Sequence, residues 1–424
     1  MAADAVQVKG PGLPLSSRDI LKQGRWMFGA FILSFFANAV FNMVMSRWLG
    51  VADYGVLVSL LSVFMVVSIP LQTLQTVLAR AVAEGAAKRK LRILSSLHGS
   101  SWVALGWTSA LVLLLSFLGR VPLANFLHLH ASTWIFHLVF MILGAAAGTL
   151  TKAFLQGLQK YDQMGFQISL DTLVRLAVAV VLVMGGVGVG GALFSQVLSS
   201  WIGVGLGLWF ISGSLKPFWS LKPRWRWHKE AGFAAPVALA FLLYSLLTIT
   251  DVAFARHWFS AEEAGYFSAV ATIGRVFQHG PFMLTAYMFP KASFMHSREQ
   301  SVRPLMKRTL VMTGWVVGGA ILVCVLLKGP IIRILFGGQY SQAIEILPWY
   351  ALGMAPMAFN WVLANGLLAV GRYRFLYGMG ASVVVYGLCL LNYHRSPYDL
   401  ILALAVSGTS LMVWLLWELR KELW

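Results

Sequence analysis

Charged residues are scarce in this chain. Only 11% of its 424 residues are Asp, Glu, Lys or Arg, whereas a soluble domain carries about 25%. Apolar residues make up 58%, and the mean hydropathy is +0.74. These values exclude an ordinary soluble protein. They predict an all-α polytopic membrane protein, because long apolar helices satisfy their own backbone hydrogen bonds in lipid.

Cysteine is almost absent, since only Cys324 and Cys389 occur, both in apolar segments. This excludes a disulfide framework and a cysteine-based metal cluster. The sequence also shows no nucleophile–base constellation and no carboxylate pair. We therefore expect no cofactor, no metal and no enzymatic activity.

Long apolar runs predict twelve transmembrane helices. They lie at about 25–45, 54–79, 96–119, 132–157, 166–186, 190–213, 231–256, 264–290, 309–327, 344–370, 373–392 and 398–418.

The net charge of +18 is distributed unevenly over the predicted loops. Of the 33 Lys and Arg residues, 25 fall on the side that carries the N-terminus, 6 on the opposite side and 2 inside spans. The positive-inside rule then places both termini in the cytoplasm, in a cytoplasmic (inner) membrane. We interpret the basic excess as contact with anionic membrane lipid and not with nucleic acid.

Helix-end residues recur in the second half of the chain after 209 to 212 positions. Four pairs share this spacing: Asn42 with Asp251, Arg47 with Arg256, Pro70 with Pro281, and Lys160 with Arg372. The repeat predicts two six-helix lobes, residues 1–213 and 231–424, related by a pseudo-two-fold axis along the membrane normal. The alternative is a chance recurrence of helix-end residues. The segment 214–230, rich in Lys, Arg and Trp, is predicted to be a cytoplasmic linker on anionic lipid.

Arg275 lies near the centre of the eighth predicted span, where a charge is costly unless it faces water or a partner. We therefore expect it to have a function. Ser268, Thr272 and His279 share its helical face, and Gln278 lies beside it.

Polar residues also follow one face of three other spans. They are Ser34, Asn38 and Asn42 in span one, Gln72, Gln75 and Thr76 in span two, and Tyr244, Thr248 and Asp251 in span seven. Together with span eight, these stripes predict a hydrated central cavity. The alternative is that they only hydrogen-bond between helices.

Two acidic residues lie in apolar surroundings. Asp171 and Arg175 are four residues apart and are predicted to neutralise each other near the cytoplasmic surface. Asp251 has two open interpretations, a structural partner of Arg256 or a titratable ion-coupling site.

Three segments resemble the oligosaccharide flippases of the multidrug/oligosaccharidyl-lipid/polysaccharide exporter superfamily. They are SRWLGVADYG (46–55), DVAFARHWFSAEEAGYFSAV (251–270) and GLQKYDQMGF (157–166). The resemblance implies two six-helix lobes that move undecaprenyl-pyrophosphate-linked oligosaccharide to the outer leaflet by alternating access. The related lipid II flippases carry two further helices that are not found here.

The resemblance also implies a cationic cavity, which maps onto Arg275 and onto Arg25 at the start of span one. Gln278, His279, Asn38, Asn42 and Gln72 are the further substrate-binding candidates. Expected partners are the lipid-linked oligosaccharide, a glycan polymerase and glycosyltransferases.

Two other functions are less compatible with the sequence. An ion-coupled multidrug exporter of the same superfamily is disfavoured because spans one and two have no central carboxylate. A membrane glycan polymerase or ligase is disfavoured because the predicted outer loops are short, the longest spanning about 328–343.

Overall fold

The computed structural model describes residues 17–87, 91–129, 131–213, 227–298 and 300–423. Throughout this part of the chain the regular structure is helical, with no strand. The helices are α1 (Ser17–Ala87), α2 (Leu91–Phe126), α3 (Trp134–Gly157), α4 (Tyr161–Met184), α5 (Gly188–Ser212), α6 (Trp227–Ile249), α7 (Asp251–Trp258), α8 (Ala261–Gly274), α9 (Val276–Ser297), α10 (Arg303–Leu326), α11 (Lys328–Leu335), α12 (Ala343–Ala369), α13 (Phe375–Asn392) and α14 (Pro397–Leu423).

Ten segments of the described chain are long and apolar enough to cross a membrane. The first, Gly29–Ala86, has 58 residues and is broken at Gly50, whose φ of 80° and ψ of 174° are not helical. Because about 20 residues cross a bilayer, this segment accounts for two spans. The pair α8 and α9 accounts for one more, which gives the twelve spans predicted.

The chain folds into two compact units. Unit 1 comprises residues 1–41, 70–125 and 130–234, and unit 2 comprises 42–69, 126–129 and 235–424. The predicted division into residues 1–213 and 231–424 follows the sequence repeat and stays a prediction. Most of its linker, 214–226, lies outside the described residues.

Unit 1 has an apolar core where the C-terminal part of α1 meets the next four helices. Leu78, Val82, Leu94, Phe154 and Ile211 are all buried there. Gly157 allows a close approach of α3 to α1, since a Cβ at this position would lie 2.6 Å from the carbonyl oxygen of Ala79. The burial of this core stabilises the helices between which the polar residues of unit 1 lie.

Unit 2 is built around α12, which packs against α8, α9, α10 and α14. Two glycines bring α1 and α8 into backbone contact in this unit. A Cβ on Gly55 would lie 3.0 Å from the Cα of Gly265, and a Cβ on Gly265 would overlap Val51. Small residues permit such close helix crossings in membranes. Gly55 and Gly265 lie 210 positions apart, so the contact joins equivalent points of the sequence repeat.

The turns after α3 and after α12 have the same geometry at an offset of 212 residues. Gln159 (φ 59°) and Gly371 (φ 71°) both adopt the left-handed conformation. The next residues donate backbone N–H groups to matching carbonyls, Lys160 to Leu155 at 2.8 Å and Arg372 to Leu367 at 3.0 Å. This is a Schellman-type helix end in both halves. It supports the interpretation of the spacing as an internal repeat.

Candidate functional site

Arg275 lies at the break between α8 and α9, inside the eighth span. Its side chain is half-buried, and its Nη2 donates a 2.7 Å hydrogen bond to the Oγ of Ser62. The Sδ of Met65 lies 3.7 Å from its Nη1. Both of these groups come from α1 and are neutral, and Arg275 also interacts electrostatically with the carboxylate of Asp251. A guanidinium in such surroundings is suited to an anionic ligand.

α8 ends at Gly274 and α9 begins at Val276, and Arg275 between them has a φ of −63° and a ψ of −22°, close to helical values. The backbone N–H of Arg275 still donates to the carbonyl of Ala271 at 3.0 Å. Pro281, six residues farther on, lies inside α9, which continues to Ser297.

A chain of neutral hydrogen bonds lies close to Arg275 in unit 2. The buried hydroxyl of Tyr54 donates to the Oδ1 of Asn42 at 3.0 Å and lies 3.2 Å from the Oγ1 of Thr272. Thr272 is three residues before Arg275, on the same side of the helix. We call Asn42, Tyr54, Ser62, Thr272 and Arg275 the unit 2 polar cluster.

Asp251 is buried in unit 2 as the first residue of α7, with 1% of its surface exposed. Its Oδ2 accepts a 2.7 Å hydrogen bond from Tyr350, and its Oδ1 has no hydrogen-bond partner among the described residues. Arg275 interacts with it electrostatically. The carboxylate thus lies within the influence of the candidate anion-binding cation.

The predicted pairing of Asp251 with Arg256 is wrong. Arg256 instead donates to the backbone carbonyls of Leu127 and His128 at 3.1 and 3.0 Å. The two side chains lie five residues apart, so they point to different sides of α7. The other interpretation, an ion-coupling site, stays a prediction.

The polar stripe of span seven faces α12. The hydroxyl of Tyr244 donates to the carbonyl of Met357 at 3.0 Å, and Asp251 accepts from Tyr350 of the same helix. Thr248 donates back to the carbonyl of Tyr244. Tyr244 therefore forms a hydrogen bond between helices, which is the alternative that the sequence left open, whereas Thr248 bonds within its own helix.

A second arginine is held by neutral oxygens in unit 1. Arg175 donates to the Oδ1 of Asn38 at 2.6 Å and to the Oε1 of Gln196 at 3.1 Å, and it lies 5.1 Å from the ring of Phe41. Both Asp171 and Arg175 are described, and they form no salt bridge with each other. The predicted direct ion pair is therefore not formed, because the arginine side chain reaches α1 and α5, although Asp171 still acts on Arg175 electrostatically.

The remaining candidates are distributed as follows. Gln72 is exposed, and its neighbour Gln75 donates to Gln156 at 3.0 Å. The side chains of Arg25, Gln278 and His279 lie outside the described residues. Their proposed roles stay predictions.

Sequence reasoning missed Tyr54, Ser62 and Arg175 as members of polar clusters. The sequence predicts Arg175 near the cytoplasmic surface, but it lies well inside α4 (Tyr161–Met184). A charge at that depth needs polar partners, which was the available signal. For Tyr54 and Ser62 there was no such signal. Among the described residues, no group of three His, Cys, Asp or Glu side chains is placed to hold a metal ion.

The sequence profile of a family described as "polysaccharide biosynthesis protein" matches residues 44–345. The chain belongs to this family. No curated protein matches it. The matched range includes Arg275, Asp251 and nearly all of the unit 2 polar cluster.

Solved structures of low sequence identity share the fold. The lipid II flippase MurJ in an inward closed conformation is 12% identical with a TM-score of 0.74, and the match covers 94% of this chain and 87% of that one. An inward-facing multidrug resistance MATE transporter is 12% identical with a TM-score of 0.71, covering 92% and 95%. The Vibrio cholerae MATE transporter VcmN in its bent form is 14% identical with a TM-score of 0.58, covering 96% and 99%. The chain therefore has the twelve-helix, two-lobe fold of this superfamily of membrane exporters and flippases.

Proposed function

We propose that this chain is a flippase that moves undecaprenyl-pyrophosphate-linked oligosaccharide from the cytoplasmic to the outer leaflet. It would supply lipid-linked oligosaccharide for the assembly of cell-surface polysaccharide, such as the O-antigen of lipopolysaccharide. Transport would occur by alternating access. The observation that carries the proposal is a guanidinium inside the eighth span, bonded to the neutral Ser62, in a member of a polysaccharide biosynthesis family.

Arg275 binds the pyrophosphate in this proposal. A guanidinium is planar and donates two parallel hydrogen bonds to phosphate oxygens, which a lysine ammonium does not. The apolar helices around the site lower the effective dielectric constant, so the attraction is stronger than at a surface. In this proposal Asn42 and Thr272, together with the sequence candidates Gln278 and His279, contact the sugar hydroxyls.

The same arrangement argues for transport and not for an enzyme. The unit 2 polar cluster contains an arginine, a tyrosine, an amide and two hydroxyls, and none of these is an obvious general base for glycosyl transfer. The product would be the unchanged lipid-linked oligosaccharide on the outer leaflet of the inner membrane. A glycan polymerase and glycosyltransferases would be its partners.

The test is glycan display at the cell surface with matched membrane expression. We expect Arg275→Ala to reduce display by about tenfold or more, since one charged hydrogen bond is worth about 1.5–3 kcal/mol. Arg275→Lys should restore part of the loss, and Arg275→Glu should be worse than Ala because it repels the diphosphate. Arg374→Ala, an exposed arginine of unit 2, is the matched control. Normal display by the Arg275→Ala variant would contradict the proposal.

An ion-coupled multidrug exporter is the second candidate function. The buried carboxylate of Asp251 and the shared fold with MATE transporters favour it. Expression of the chain in a drug-sensitive strain distinguishes the two functions. Drug resistance without any effect on glycan display would favour the exporter.

A further inference from the structure

A groove with one basic end opens between α10 and α14 in unit 2. Both helices pack on α12, and the groove left between them has a volume of about 560 Å³. Arg303, Lys307 and Arg420 line one end, and Leu310, Val311 and Leu416 line the rest. Arg275 and the other residues of the unit 2 polar cluster are not among those that line the groove.

The charge at the basic end has a single sign. Arg303 and Lys307 are four residues apart on α10, so they share a face, and Arg420 approaches from α14. All three side chains are exposed. No acidic residue is among the described residues that line the groove. Arg303 also begins α10, whose N-terminus contributes a partial positive charge.

A second hollow of about 370 Å³ lies on α14, on the N-terminal side of the residues that line the groove. Ala405, Thr409, Ser410 and Val413 line it. Ser410, Val413, Leu416 and Arg420 follow one another on a single helical face. Ser410 and Arg420 are about 15 Å apart along the helix. This matches one leaflet, half of a hydrocarbon core about 30 Å thick.

We propose that this groove binds one acidic membrane phospholipid. The phosphate contacts Arg303, Lys307 and Arg420, and one acyl chain follows the small side chains of α14 toward Ser410. The basic end of the groove lies at the N-terminus of α10 and the C-terminus of α14. The distribution of Lys and Arg predicts that both of these helix termini are cytoplasmic. Acidic lipids give that leaflet a negative surface potential, so the charge is complementary.

Lipid binding to the full-length protein in a neutral detergent tests the site. Native mass spectrometry would compare phosphatidylglycerol with phosphatidylcholine of the same acyl chains. We expect a preference for phosphatidylglycerol that falls by about tenfold or more when Arg303, Lys307 and Arg420 are all changed to Gln. A control with Arg333→Gln, Arg374→Gln and Arg395→Gln removes the same charge from exposed positions outside the groove and should keep the preference.

A second variant tests the path of the acyl chain. Ser410→Trp fills the hollow on α14 and should weaken binding of a long-chain phosphatidylglycerol more than that of a short-chain one. Equal lipid retention by the groove variant and the control would overturn the proposal. So would full displacement of the lipid by millimolar inorganic phosphate, which would reduce the groove to an ion site. If the triple variant does not fold, Arg420→Gln alone should show a smaller loss in the same direction.

Discussion

At the scale of single residues, the carboxylate of Asp251 has one oxygen that is hydrogen-bonded and, within the described part of the chain, one that is not. Oδ2 accepts from Tyr350, and Oδ1 has no hydrogen-bond partner among the described residues. A buried carboxylate needs a proton, a cation or a further donor to offset its loss of hydration. The unbonded oxygen of Asp251 is thus compatible with the ion-coupling role predicted from the sequence.

We expect Asp251→Asn to abolish the dependence of transport on an imposed ion gradient while leaving substrate binding measurable. The amide keeps the shape of the side chain but removes its charge. Asp162→Asn, an exposed acid of unit 1, serves as the control and should behave as the wild type. If the Asp251→Asn variant transports at the normal rate under the gradient, Asp251 has no coupling role and acts only as the hydrogen-bond partner of Tyr350.

The residues of the candidate site differ in how far they could be predicted. Arg275 could be found because a charge in an apolar run stands out without knowledge of any neighbour. The partners of Arg175 could not, since Asn38 lies 137 residues away along the chain. Helical periodicity gives the face on which a residue lies but not the helix that packs against that face. For this reason the salt bridges that the sequence suggested, Asp171 with Arg175 and Asp251 with Arg256, are absent among the described residues.

At the scale of elements, the twelve spans could be predicted because each needs only a long apolar run. The break of the eighth span at Arg275 and the backbone contact of Gly55 with Gly265 could not. Both depend on tertiary packing, which composition does not record.

The turns after α3 and after α12 have the same backbone geometry, and substitutions at their equivalent positions test this equivalence. Gln159 is a non-glycine residue in the left-handed conformation, and its equivalent is Gly371. We expect Gln159→Gly to stabilise the protein and Gly371→Ala to destabilise it, each by about 1 kcal/mol. Thermal unfolding of the purified protein in detergent measures both shifts. Shifts of the same sign would show that the two turns are not equivalent.

The close contact of α1 with α8 is a second element that can be tested. A side chain at Gly265 would overlap Val51, so Gly265→Leu forces the two helices apart. We expect this variant to insert into the membrane but to lose glycan display. Gly380→Leu is the matched control, since a Cβ at Gly380 meets nothing within 4 Å. Equal display by the two variants would mean that the α1–α8 approach is not needed for transport.

At the scale of the whole molecule, the charge distribution predicts the orientation in the membrane. We expect the segment 214–230 to be cytoplasmic and the turn that contains Ala52 to be external. Single cysteines at Ser214 and Ala52, in a chain with Cys324 and Cys389 replaced by Ser, should react with an impermeant maleimide from opposite faces. Labelling of both from the same face would contradict the twelve-span arrangement.

The central claim is that the chain moves a lipid-linked oligosaccharide across a bilayer. Proteoliposomes that contain the purified protein and a fluorescent undecaprenyl-pyrophosphate-linked oligosaccharide test it directly, with an impermeant quencher that reports the fraction of label in the outer leaflet. Under an imposed ion gradient and membrane potential, we expect wild-type protein to change this fraction and Arg275→Ala to leave it near the protein-free level. No change with wild-type protein under any gradient, while the same vesicles transport a cationic dye, would contradict the claim.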